Sequence, residues 1–187
     1  MKKQTVINMC ISVAFGIVSI AYIAYIFSRC NQVPPTIKEG TFPFRVVYEL
    51  NGERHEIEDA VICRYRGLGG FYSNIRGWET TLQSGEQSIC ILSEEYVYSL
   101  LSPNRLNSKS SVFLVYGSST YYMGDTMNAG NADRKPGMYY VEDYHSEPNI
   151  QNKDSTPLTE KQLEKYFGIK IIEFEFSKPI KNTFKAE

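Results

Sequence analysis

Between Val6 and Phe27 the chain reads VINMCISVAFGIVSIAYIAYIF, an apolar run without a charged residue in which only Asn8, Ser12 and Ser19 are clearly polar. Wound as a helix it would extend about 33 Å at 1.5 Å per residue, against a hydrocarbon core of about 30 Å. It is long enough to span, and a transmembrane helix over residues 6–28 is the expectation around which the rest of the chain is organised.

A cleaved secretory signal is the competing reading. Its apolar region is usually about 7 to 15 residues and ends at a small-residue cleavage site. This run is longer and is followed by Ser28-Arg29-Cys30-Asn31, with no small-x-small pair. Cys30 invites a lipidated-cysteine anchor, but Arg29 stands where that signal wants a small residue. An uncleaved signal-anchor is therefore expected. Lys2, Lys3 and the terminal amine precede the run while only Arg29 follows it closely, which puts the amino end in the cytoplasm and the carboxy-terminal domain outside. A cytoplasmic tail of about five residues is too short to fold, so any inward signal would pass through a partner helix. Ser12 and Gly16 form a small-xxx-small pair suited to helix self-association, although small residues are common in membrane helices anyway.

Of the 20 basic residues, residues 1–30 carry Lys2, Lys3 and Arg29, and they carry none of the 21 acidic ones, so the remainder is net −4. A weakly acidic domain lacks the electrostatic footprint for nucleic acid or anionic lipid. The 157 residues after position 30 suffice for one core. Their tyrosines and the pairs Phe71-Tyr72, Tyr121-Tyr122 and Tyr139-Tyr140 lean toward β structure. A disulfide between Cys63 and Cys90 would close a 28-residue loop and stabilise by about 3–4 kcal/mol. Both cysteines sit in apolar strings, however, and read better as buried thiols.

Residues 29–41 contain Pro34-Pro35 and read as a stiff spacer before a domain at 42–187. Phe42, Phe44, Val46, Tyr48 and Leu50 alternate with polar or exposure-tolerant residues and run into Asn51-Gly52, the preferred type I′ pair, so a hairpin is predicted. With Leu50 opposite Glu53, Glu49 faces Arg54 and Arg45 faces Glu58, while Val46 meets Ile57 and Tyr48 meets His55 on the apolar face. A slip of one residue would lose both charge pairs.

Further along, Gly67 to Gly70 followed by Phe71, Tyr72 and Trp78 is a candidate surface binding loop for glycan or protein. No helical period follows it, which argues against a phosphate cradle. Ile89 to Leu92 reads as a strand. Ser93-Glu94-Glu95 suits a helix cap, whereas Tyr96-Val97-Tyr98 favours strand, and both stay open. Asn104 to Ser111 reads as a polar loop, Val112 to Tyr116 as a strand, and Thr120 to Met123 as another. The oxygen-rich stretch from Asp125 to Asp133 fails calcium-loop spacing, with Met127 at the third position, and is expected to be a surface turn. Met138 to Tyr144 reads as a strand ending among Glu142, Asp143, His145 and Glu147, letters that fit a zinc ligand set no better than a solvated loop. Thr159 with Gln162 forms a capping box and Leu158 with Leu163 a staple, for a helix ending at Gly168. Ile172, Phe174 and Phe176 then predict a strand with one buried face, and Ile180 to Phe184 is expected to lie over the sheet beyond Pro179.

Only His55 and His145 are available as histidine bases, and no nucleophile elbow surrounds any serine, so no catalytic residue, metal ligand or cofactor is assigned. The segments FRVVYELNGE, EIEDAVICRYRG, TYYMGD, LTEKQLEKYFGIKII and PIKNTF resemble those of a set of uncharacterised single-pass membrane proteins from Gram-positive bacteria (Firmicutes). The resemblance implies a bacterial plasma-membrane location and nothing catalytic. The fold expected is mainly β (α+β), a small antiparallel domain with one late helix behind the anchor. The leading functional expectation is a binding or envelope-interaction module whose partners are the bilayer and a membrane or envelope protein. An envelope hydrolase or a small regulator acting through its transmembrane helix are the alternatives. A deep pocket of converging carboxylates would favour the hydrolase, and an apolar or aromatic surface patch the binding module.

Overall fold

The computed structural model describes residues 34–68, 76–101, 106–125, 134–147 and 150–184. The apolar run at 6–27, with Ser12 and Gly16, lies outside them, as do Phe71 and Tyr72. Strand β1 (Glu39–Leu50) turns through Asn51-Gly52 into β2 (Glu53–Leu68), followed by β3 (Arg76–Leu82). Strands β4 (Ile89–Tyr98) and β5 (Leu106–Val115) lead to a single helical turn, α1 (Ser119–Tyr122). After β6 (Gly137–Glu147) and β7 (Ile150–Pro157) come helix α2 (Glu160–Phe167) and β8 (Ile169–Phe176). Two antiparallel four-stranded sheets result, in the orders β3-β2-β1-β8 and β4-β5-β6-β7. One hydrophobic cluster joins them. It includes Phe42, Val46 and Val61 from the first sheet, Val112, Leu114 and Tyr140 from the second, and Leu163 and Phe167 from α2.

The hairpin register is the one that charge and turn chemistry predict. Leu50 pairs with Glu53, Glu49 with Arg54, Arg45 with Glu58, Val46 with Ile57 and Tyr48 with His55. Asn51 and Gly52 both take positive φ, at 53° and 82°, the geometry of a primed turn whose twist matches the strands. Tyr48 and His55 stack with ring centroids 5.0 Å apart, so His55 is spent on packing. The strand starts at Glu39, three residues inside the expected spacer. Helix α2 also follows its sequence signals: Thr159 caps it with a complete capping box to Gln162, and Gly168 ends it in the left-handed region.

Elsewhere tertiary context overrides local pattern. Residues 106–111 are strand rather than polar loop, because β4 pairs along this stretch and β6 along 109–111, claiming its backbone groups. The stretch at 93–98 joins β4, an edge strand, because β5 pairs along it. Thr120 to Met123 is not a strand: the Ser118 side chain accepts from the Tyr121 N–H and caps a helical turn that buries Tyr122. Cys90 is exposed, not buried, since Ile89 and Ile91 on either side of it point inward, while Cys63 lies in the core as a free thiol. In β8 the buried face expected from Ile172, Phe174 and Phe176 is broken. Val47 pairs with Glu173 but Tyr48 with Ile171, leaving Ile172 as a bulge. The parity changes there, so Ile169, Ile171, Phe174 and Phe176 share one face, on which Phe174 is still exposed, and Ile172 is left exposed as the extra residue.

Beyond β8 the chain runs back along α1 and the residues before β1. Ile180 N–H donates to the Tyr122 carbonyl at 2.8 Å, and Thr36 N–H donates to the Thr183 carbonyl at 2.9 Å. The Asn182 amide both accepts from Ile37 N–H at 3.0 Å and donates to the Ile37 carbonyl at 2.8 Å, acting as a strand neighbour would. This strap crosses Gly124 so closely that a Cβ there would stand 2.5 Å from the Ile180 carbonyl oxygen, with φ already at +63°. Gly124→Ala should therefore cost about 2–4 kcal/mol in denaturant unfolding, against about 1 kcal/mol for Gly52→Ala, where φ is positive but space is open. Burial also pushes the Cys63 thiol from 9.0 up to about 11. The folded chain then keeps a proton that the unfolded chain sheds, so stability is intact below pH 9 and falls as pH rises toward 11. The melting temperature should drop across that window, and by less in Cys63→Ala after correction for its lower starting value.

Candidate binding surface

Trp78 was expected on an exposed aromatic loop, and its surroundings explain why it is only partly accessible. Its ring meets Tyr65 edge-on at 5.4 Å, and its indole N–H donates to Asp125 Oδ2 at 2.8 Å. Asp125 itself is fully buried, which corrects the expectation of a surface turn beginning there. Arg76, at the start of β3, grips the same carboxylate through Nε to Oδ2 at 2.7 Å and Nη2 to Oδ1 at 2.5 Å. The fork is bidentate and sealed from water, with Phe184 of the strap 4.2 Å from the guanidinium carbon. The carboxylate in turn holds the Arg76 guanidinium above its usual range. These contacts hold the β3 edge, the exit of α1 and the strap together. None of the three partners Arg76, Asp125 and Phe184 carries a local signal, since they meet only by folding.

A second buried carboxylate, Glu142, lies on the inner face of β6. Its Oε2 accepts from the Ser99 hydroxyl and from the Tyr140 hydroxyl at 3.1 Å. Burial raises Tyr140 above the ordinary tyrosine range, so it donates across the physiological pH range. The acidic cluster anticipated at the end of β6 is thus divided: Glu142 points into the core, while Asp143 faces Lys153 of β7 at 3.9 Å. Among the described residues no three His, Cys, Asp or Glu side chains converge as a metal site.

The outward-facing chemistry concentrates on the β1–β8 side of the first sheet. Arg45 sits among Glu56, Glu58 and Glu173 at 2.6, 2.9 and 2.5 Å, and hydrogen bonds to Glu56 and Glu173 raise its pKa further. Beside this cluster an open trough of about 1100 Å³ crosses the middle of β1 and β2 and the end of β8. Phe44 and Phe176 stack at 4.8 Å along it, and Phe174 meets Phe176 at 4.9 Å. Glu58, Asp59 and Glu175 give it an acidic border. Because β8 is the last strand of its sheet, this border continues directly onto an edge with exposed Ile172 and Phe174. The alternation at 172–176 announced a strand, but only pairing with β1 made Ile172 a bulge and left it, with Phe174, exposed at the sheet's edge. No protein-family model, curated protein or solved structure matches the chain.

Removing either half of the buried pair strands the other charge. Arg76→Met or Asp125→Leu alone should each cost about 3–5 kcal/mol by chemical denaturation, and the double variant should cost clearly less than their sum. Additive losses would mean that the two side chains do not act as a unit.

Proposed function

We propose that the protein is a bilayer-anchored, extracytoplasmic interaction domain of a bacterial plasma membrane, with a binding rather than a catalytic role. The anchor is the uncharged run from Val6 to Phe27, oriented by Lys2 and Lys3. The observation that carries the binding role is the exposed pairing edge of β8 with Ile172 and Phe174 beside the phenylalanine-lined trough. An open, shallow surface of apolar side chains rimmed by charge suits macromolecular contact better than sequestration of a small substrate. The buried carboxylates Asp125 and Glu142 are drawn into internal hydrogen bonds, and His55 into a ring stack, so these groups do not supply the convergent pocket a hydrolase would use.

In the cell the intact chain should sediment with membranes, resist extraction by high salt and dissolve in detergent. Protease added to spheroplasts should remove epitopes in residues 42–187. Recovery from the soluble fraction, or full protection of that domain in intact spheroplasts, would overturn the proposal.

A further inference from the structure

On either side of its centre, the sequence of β8, IKIIEFEF, is complementary to itself when reversed about the bond between Ile172 and Glu173. Two copies running antiparallel about that point would set Ile171 opposite Phe174, Ile169 opposite Phe176, and Lys170 opposite Glu175. Each of these pairs is either apolar with apolar or cation with anion; at the centre, where Ile172 is the extra residue, Glu173 meets its own copy, each carboxylate held by Arg45 of its own chain. The faces agree as well. The bulge at Ile172 lets Ile169 and Ile171 share the inner face with Phe174 and Phe176, while Lys170 and Glu175 share the outer one. Without that extra residue the alternation would place Ile171 and Phe174 on opposite faces, and the match would be lost.

We infer that β8 is the edge through which two copies of this chain pair, joining their first sheets into one eight-stranded sheet. A two-fold interface requires a patch that complements itself, and this edge does so in charge and apolarity on either side of its central Glu173. It also leaves Ile172 and Phe174 at 43% and 38% exposure, side chains that a solitary edge strand would ordinarily replace or shield. Among the described residues no other strand pairs with the free side of β8. The two-fold axis stands normal to the sheet, so both copies share a bilayer when that axis lies along the membrane normal. The inference names the partner for the surface assigned above and rests on that assignment.

The test uses the full chain in detergent micelles, with the dimer dissociation constant read by sedimentation. Lys170→Glu and Glu175→Lys should each weaken pairing about tenfold by setting like charges opposite one another twice per dimer. The combined variant K170E/E175K should return to within about threefold of the parent. That rescue cannot come from the intrachain contact of Lys170 with Glu49 at 3.7 Å, which both variants carrying K170E lose. Phe174→Glu should also abolish pairing, and unchanged melting temperatures would show that the variants fold. A chain that stays monomeric up to about 100 μM overturns the inference, as does a dimer indifferent to these changes but lost with Gly16→Leu, which would place association in the anchor. Capture of an extended basic peptide by a monomeric chain would overturn it too, in favour of a different occupant. None of these results bears on the protease accessibility of the domain, which decides the broader proposal.

Discussion

A guanidinium and a carboxylate, both withdrawn from water, hold together the parts of this fold that strand pairing leaves loose. Arg76 begins β3, Asp125 follows α1, and Phe184 belongs to the strap that ends the described chain. Neither sheet's hydrogen-bond ladder joins these three segments. A desolvated charge is so unfavourable alone that each ion can be buried only where the other is waiting. The pair therefore acts as a condition on assembly: β3, the α1 exit and the strap reach their places together.

The strap extends this condition to the start of the described chain. Asn182 and Thr183 bond to Thr36 and Ile37, so the last described residues close against the first ones. The expected spacer is consequently shorter than its composition implies, because Pro35 to Ile37 are held by the domain and Glu39 to Thr41 are already strand.

At the opposite side of the sheet the physics differs. The Arg45 cluster and the β8 edge are open to solvent, and their side chains are not committed to a core. Charge on the outer face sets register with β1, as the Arg45 to Glu58 pairing shows, while the bulge at Ile172 decides which apolar groups stay outside. The molecule thus keeps a tightly tied end where the described chain begins and an open, partly apolar edge elsewhere.

Local sequence was sufficient wherever a structural decision depended on neighbours within a few residues. Asn51-Gly52 dictated the turn, the hairpin's charges dictated its register, and Thr159, Gln162 and Gly168 bounded α2. Tertiary structure alone decided the burial of Asp125, the outward turn of Cys90, the strand at 106–111 and the bulge in β8. Each depends on a partner far away in the chain: Arg76 is 49 residues from Asp125, and β1 reads β8 across more than a hundred. Short-range backbone preference, turn geometry and capping act through adjacent atoms and so leave a mark in the order of residues. Desolvation and packing act between surfaces that become neighbours only on folding, which is why the candidate surface could be anticipated as a strand but not as an exposed edge.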